Sequence, residues 1–180
     1  RSLRRQIGVV TQETVLFKDE LRANLKFGAP DVEDEVMFDA AKAADAYGFV
    51  SRLPDTWDGM VARRGYNFSG GQRQRLGITR ALTPRPRVLI LDDSTSALDA
   101  STEGRVQAAI PKFAGGATVI YVAQRISALI DLDHIYLLEH GEIIAEGTHD
   151  ELLATSPMYQ EIYESQLGGG VTAGVDMDGA

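Results

Sequence analysis

The chain has no cysteine among its 180 residues. That excludes disulfides, thiolate metal sites and cysteine nucleophiles, and it suits a reducing compartment. Histidine is scarce: there are three, and His134 and His140 fall at turn-like positions with no metal-ligand spacing around them. No apolar run nears the ~18–20 residues that cross a bilayer; Val88–Leu91 and Val119–Ala123 are among the longest. A basic surplus is missing too. The net charge is −8, the wrong sign for a sequence-independent nucleic-acid binder. Nothing near the start reads as a signal peptide, and a first residue of Arg1 rather than methionine reads as a fragment or a processed product.

What is present suffices for a folded domain. Hydrophobic residues make up 44% of the chain, enough to bury a core. Gln6–Val10, Arg87–Leu91 and Thr118–Ala123 are β-rich runs and predict strands of a sheet buried on both faces. Between them the spacing of Val32, Val36, Ala40, Ala43, Tyr47 and Val50 predicts a helix capped by Asp31, broken near Gly48 and ended by Pro54. Ser69-Gly70-Gly71-Gln72 has the form of a capping box and predicts a helix to about Leu82. Ser101–Ile110 reads as helical, with Pro111 and Gly115-Gly116 as its stop. Ile135–Glu139 and Glu142–Ala145 flank His140-Gly141 as a hairpin. Thr148–Glu151 is a second capping box, and Ser156-Pro157 starts one more helix. Strands alternating with helices predict an α/β fold.

Two places carry candidate chemistry. Asp92 and Asp93 follow four apolar residues, where ligands of open α/β sheets bind. They can hold magnesium, or they can cap the turn Ser94-Thr95-Ser96; residue type alone leaves both open. The second place is the string NFSGGQRQR, 67–75. Two glycines behind a capping serine open the first turn of a helix to an anion. Seven arginines and no acidic residue lie between Arg63 and Arg87; Arg73, Arg75 and Arg80 read mainly as a solvated face.

NFSGGQRQR, followed by RVLILDDSTSALD, resembles the nucleotide-binding domain of ATP-binding cassette (ABC) transporters of the exporter type. The resemblance covers about residues 1–167 and places the signature motif at 68–72, the Walker B strand at 88–92 and the D-loop at 96–99. It implies a P-loop NTPase-like sheet with a helical signature subdomain, and ATP with Mg²⁺ as cofactors. Gln12 in VVTQE matches the Q-loop glutamine, so Gln12 and Asp92 are the expected metal contacts. Ser69, Gly70, Gly71, Gln72 and Asp99 are the expected nucleotide and interface residues; Asp93 and Gln124 hold the catalytic positions. The implied division is 1–30 for the Q-loop part, 31–83 for the helical subdomain, 84–167 for the rest of the core, and 168–180 as a disordered tail.

The departures are as informative. None of the four lysines follows a glycine, so the phosphate loop G-x-x-x-x-G-K-[ST] is absent, and this chain alone is expected to bind ATP poorly and to be inactive. Asp93 stands where the family usually has a glutamate, and Gln124 where it has a histidine. Met60 and Arg63 replace two glutamates of the segment before the signature. The signature itself is intact. The resemblance thus implies the degenerate-site half of a heterodimeric exporter, partnered by a second nucleotide-binding domain and by transmembrane domains, at the cytoplasmic face of the membrane and without nucleic acid. The alternatives are a non-catalytic truncated product and a soluble ATPase of the DNA-repair type. The latter places a long coiled coil between positions that here are 57 residues apart.

Overall fold

A computed structural model describes residues 3–167, and the chain divides after Val122 into two compact units. The expected tail, 168–180, lies outside the described residues. In the first unit a parallel sheet is ordered β1 (Ile7–Val10), β2 (Val88–Asp92), β3 (Thr118–Val122), with Ile7 opposite Val88 and Val88 opposite Thr118. Helices α1 (Leu21–Leu25), α2 (Asp34–Ala43), α3 (Tyr47–Val50) and α4 (Gly70–Leu82) separate β1 from β2; α5 (Ala100–Ala114) connects β2 to β3. This is the α/β architecture that the sequence predicts.

Why these segments pack is visible in their residue sizes. Met37, Ala40 and Ala41 form the buried face of α2, and such small residues let α4 approach with Leu76, Ile78 and Leu82. Leu89 and Leu91 of β2 close that core from below with Val106 and Ile110 of α5. Trp57 seals its rim, ring centroids 4.9 Å from Phe38 and 5.6 Å from Tyr47.

Three expectations change. Asp31 does not cap α2; Glu33 is the N-cap, without a side-chain bond, and the break falls at Asp45 (φ 53°) rather than at Gly48. Pro111 lies inside α5, whose end is Gly115 in the left-handed region; proline removes one bond to the carbonyl four residues back but keeps a helical φ. The sheet is not buried on both faces. Val9, Ile120 and Val122 are each about half exposed.

The second unit is a hairpin and two helices. β4 (Ile135–Glu139) pairs antiparallel with β5 (Glu142–Gly147) through His140 (φ 50°) and Gly141 (φ 84°), the two left-handed residues that a two-residue turn needs. Thr148 caps α6 (His149–Thr155), and Ser156 Oγ accepts from the Tyr159 amide at the start of α7 (Pro157–Leu167). Leu152 and Tyr159 centre this unit's core; His149 Nδ1 lies 2.9 Å from the Tyr159 hydroxyl, a packing role rather than a ligand's.

Candidate functional site

The loop before α4 is shaped by its own side chains. Asn67 donates to the Met60 carbonyl (3.2 Å) and accepts from the Ala62 amide (3.0 Å), closing the loop into a ring. Phe68 is buried against Phe49, and Arg73 Nη1 donates to the Phe68 carbonyl at 2.7 Å. This clamps the base of the turn. The capping box then forms in both directions: Gln72 N donates to Ser69 Oγ (3.2 Å), and Ser69 N donates to Gln72 Oε1 (2.9 Å). With those two amides satisfied, Gly70 and Gly71 supply the first-turn N–H groups that have no partner within the helix. Gly71 is also required sterically, since a Cβ there would stand 3.0 Å from the Ala97 carbonyl oxygen.

The carboxylates lie at the far end of β2. Asp92 is the last residue of the strand, opposite Val122. Asp93 turns out of it in the left-handed region (φ 45°), its amide donating to the Val122 carbonyl at 2.8 Å. Gln12 Nε2 donates to Asp93 Oδ2 at 3.2 Å across 81 residues of sequence, so the structure brings these two site residues together. Ser96 Oγ donates back to the Asp93 carbonyl (2.9 Å).

Gln74 joins the two places. Buried at 5% exposure, it donates to Ser96 Oγ (3.1 Å) and accepts from the Ala97 amide (2.9 Å). The sequence reading passed over it; the available signal was a glutamine one turn behind Gly71 on the face that continues through Ile78 and Ala81. Asp99 caps α5 by accepting from Thr102 N at 2.9 Å, and that bond holds its carboxyl below the usual carboxylate range. A cleft of about 380 Å³ opens between these elements, lined by Gln12, Thr14, Arg64, Arg73, Gln74 and Ser96 among others.

The arginines are not a solvated face. Arg80 Nη1 donates to the Val15 carbonyl (2.9 Å), Arg64 pairs with Glu13 (2.6 Å), and Arg75 pairs with Asp45 (3.2 Å). Their charge binds the chain to itself. Tyr66, just before the capped turn, is 71% exposed. Gln124 belongs to the second unit, exposed, with its carbonyl accepting from Gln166 Nε2 at 2.8 Å.

Among the described residues no group of three or more His, Asp or Glu side chains converges to hold a metal ion. The donor set itself, adjacent carboxylates at the end of β2 with the Gln12 side chain 3.2 Å from Asp93, fits an ion that takes one or two carboxylates and completes its shell from water and phosphate, as magnesium does. Gly70 and Gly71 fit an anion at a helix N-terminus. The lysine of a phosphate loop is not among these residues.

Comparison with known proteins agrees with this geometry. The sequence profile of the ABC transporter domain matches residues 1–96. An ABC transporter ATP-binding protein of Bacillus subtilis, YfiB, is 45% identical over 92% of this chain. The ATP-dependent lipid A-core flippase of Syntrophus aciditrophicus is 41% identical over the same share. The chain spans 29% and 28% of the length of these two relatives. A solved bacterial Atm1-family ABC exporter with ATP bound superposes with a TM-score of 0.86 at 35% identity, over 91% of this chain and 29% of that one. A capped glycine turn, paired carboxylates after a parallel strand, and this match to more than half of the sequence together show that the chain belongs to the ABC transporter family, within its nucleotide-binding domain.

Proposed function

We propose that this chain serves an exporter as one half of a head-to-tail pair of nucleotide-binding domains. Gln12, Asp92 and Asp93 face one Mg·ATP, and Ser69, Gly70, Gly71 and Gln72 face the other. The observation that carries this reading is the bridge from one half-site to the other: Gln12 on Asp93, Asp93 to Ser96, and Gln74 from Ser96 and Ala97 to the signature helix. The segments 1–30, 31–83 and 84–167 are then the parts of one nucleotide-binding domain, closure of the pair on ATP moves the attached membrane domains, and Asp99 both caps α5 and meets the partner domain.

Residue chemistry makes the pair asymmetric. When bound, Mg²⁺ offsets phosphate charge. The work of Asp93 is to orient the attacking water; its carboxylate is one methylene shorter than glutamate, and ~1 Å of misplacement costs roughly a hundredfold in rate. Gln124 donates a hydrogen bond to phosphate but takes up no proton near pH 7. The turn at 69–72 is fully formed, so this chain gives its partner's nucleotide a sound signature while holding a slow site of its own. The partner then carries glutamate and histidine at the two positions, and the pair sits at the cytoplasmic face of the membrane against the exporter's transmembrane domains.

The test is ATP turnover by the complete natural polypeptide with its partner, in membrane vesicles. Asp93→Glu with Gln124→His should raise hydrolysis at this chain's own site, and total turnover by up to about twofold, since the partner's site is already fast. Ser69→Arg, which blocks the signature turn, should abolish the partner's hydrolysis. Unchanged turnover in both cases sinks the asymmetric reading.

A further inference from the structure

The geometry points to Asp45, outside every motif named above, as a positioning residue that fixes the first turn of α4 and the start of α5 relative to one another. It rests on the functional reading above and deepens it, because these are the two elements assigned to the facing nucleotide and the partner domain.

The backbone at Asp45 is the first observation. α2 ends with the Ala46 amide on the Ala41 carbonyl (2.7 Å) and the Asp45 amide on the Lys42 carbonyl (3.1 Å), which is a Schellman motif with Asp45 at its left-handed position (φ 53°). Glycine is the residue that such a position favours. An aspartate held there costs conformational energy, and its carboxylate is where compensation is to be sought.

That carboxylate is shared by two arginines from different elements. Arg75 of α4 donates through Nη1 to the Asp45 carbonyl (2.8 Å) and to Oδ2 (3.2 Å). Arg105 of α5 donates to Oδ1 through Nε (3.3 Å) and to Oδ2 through Nη2 (3.1 Å). Each arginine then reaches a functional turn. Arg75 Nε donates to the Gly71 carbonyl (3.3 Å), with its guanidinium 4.7 Å over the Phe49 ring. Arg105 donates to Ser101 Oγ (2.8 Å) and Thr102 Oγ1 (3.0 Å), in the turn that Asp99 caps. The side chains of Asp45, Arg75 and Arg105 are 32%, 19% and 55% exposed. The outer pair, Arg105 with Asp45, is solvent-accessible and adds little to stability, while Arg75 keeps its bond to the Asp45 carbonyl when the carboxylate is lost, so what the carboxylate supplies is geometry.

Asp45→Gly separates the two roles: it keeps the left-handed turn and removes the carboxylate. Asp45→Asn tolerates the turn and keeps one acceptor oxygen. The complete natural polypeptide with its partner is assayed for kcat and KM toward Mg·ATP, for thermal midpoint, and for amide hydrogen exchange. In Asp45→Gly, kcat should fall about tenfold while KM moves less than about threefold, with Asp45→Asn between it and wild type. Within 70–72 and 100–103, exchange should quicken at the bonded amides of Gln72, Thr102 and Glu103, with little change in thermal midpoint. Arg105→Ala in the Asp45→Gly background should add no further loss, because Arg105 acts through Asp45.

Wild-type kcat and wild-type exchange in Asp45→Gly overturn the inference, as do multiplicative losses in the double variant. If the wild-type complex hydrolyses no ATP, the functional reading fails separately, and exchange at 70–72 and 100–103 still decides whether Asp45 links the two turns.

Discussion

Asp93 shows how much one backbone angle can decide. Its left-handed φ turns the carboxylate toward Gln12 instead of continuing the line of β2, and no feature of residue type announces that. Thr14 is a sharper case. Its hydroxyl is buried with no hydrogen-bond partner among the described residues, and the side chain stands where a Cβ on Gly77 would come within 2.7–2.8 Å. An unpaired buried hydroxyl carries a desolvation penalty of about 1–3 kcal/mol. Thr14→Val keeps the shape, removes that penalty, and should raise the thermal midpoint by an amount equivalent to about 1 kcal/mol. Gly77→Ala should lower it, since Thr14 must move. Single residues were legible where their bonds are local, as in Ser69 with Gln72. They were not where the partner lies far away in sequence, as with Asp45 and Arg105, 60 residues apart.

Helix starts that carry a capping box read more reliably than the other helix ends, where Asp31 and Pro111 both mislead. Both capping boxes form with the residues expected, because an S/T-x-x-E/Q pattern satisfies its own orphan amides and needs no tertiary help. Pro111 misleads for the opposite reason: proline weakens a helix, but Ile110 buried beneath it outweighs the missing bond. The caps also predict an acid response. Bonds to the Thr102 and Thr148 amides hold the Asp99 and Glu151 carboxyls below their ordinary values of 3.8 and 4.5. Their stabilisation is thus complete above about pH 4.5 and is lost as pH falls through the lower folded values. A thermal midpoint measured from pH 6 to pH 3 should decline in that lower window. Glu151→Gln should flatten part of the decline.

At the scale of the molecule, the strands and the helical insert were legible because apolar runs and turn residues alternate along the chain, whereas the order of the strands in the sheet was not. Nor was the half-open sheet, since periodicity shows that a strand is apolar without showing what covers it. Val9, Ile120 and Val122 present an apolar face, and β1 and β3 are the outer strands of their sheet. Such a surface favours association. Residues 1–180 expressed alone should elute as self-associated species in size-exclusion chromatography with light scattering, and Ile120→Lys with Val122→Lys should shift them toward the monomer.

The signature turn has one more consequence. Because the Ser69 and Gln72 amides are spent on each other's side-chain oxygens, the backbone donors left for a ligand are the peptide N–H bonds of Gly70 and Gly71. No side-chain replacement deletes such a donor while leaving the turn intact, and none of these amides titrates in the physiological range. The change that isolates their contribution is chemical rather than genetic: an ester linkage in place of the amide before Gly71, which exchanges one N–H for an oxygen and alters nothing else in the turn.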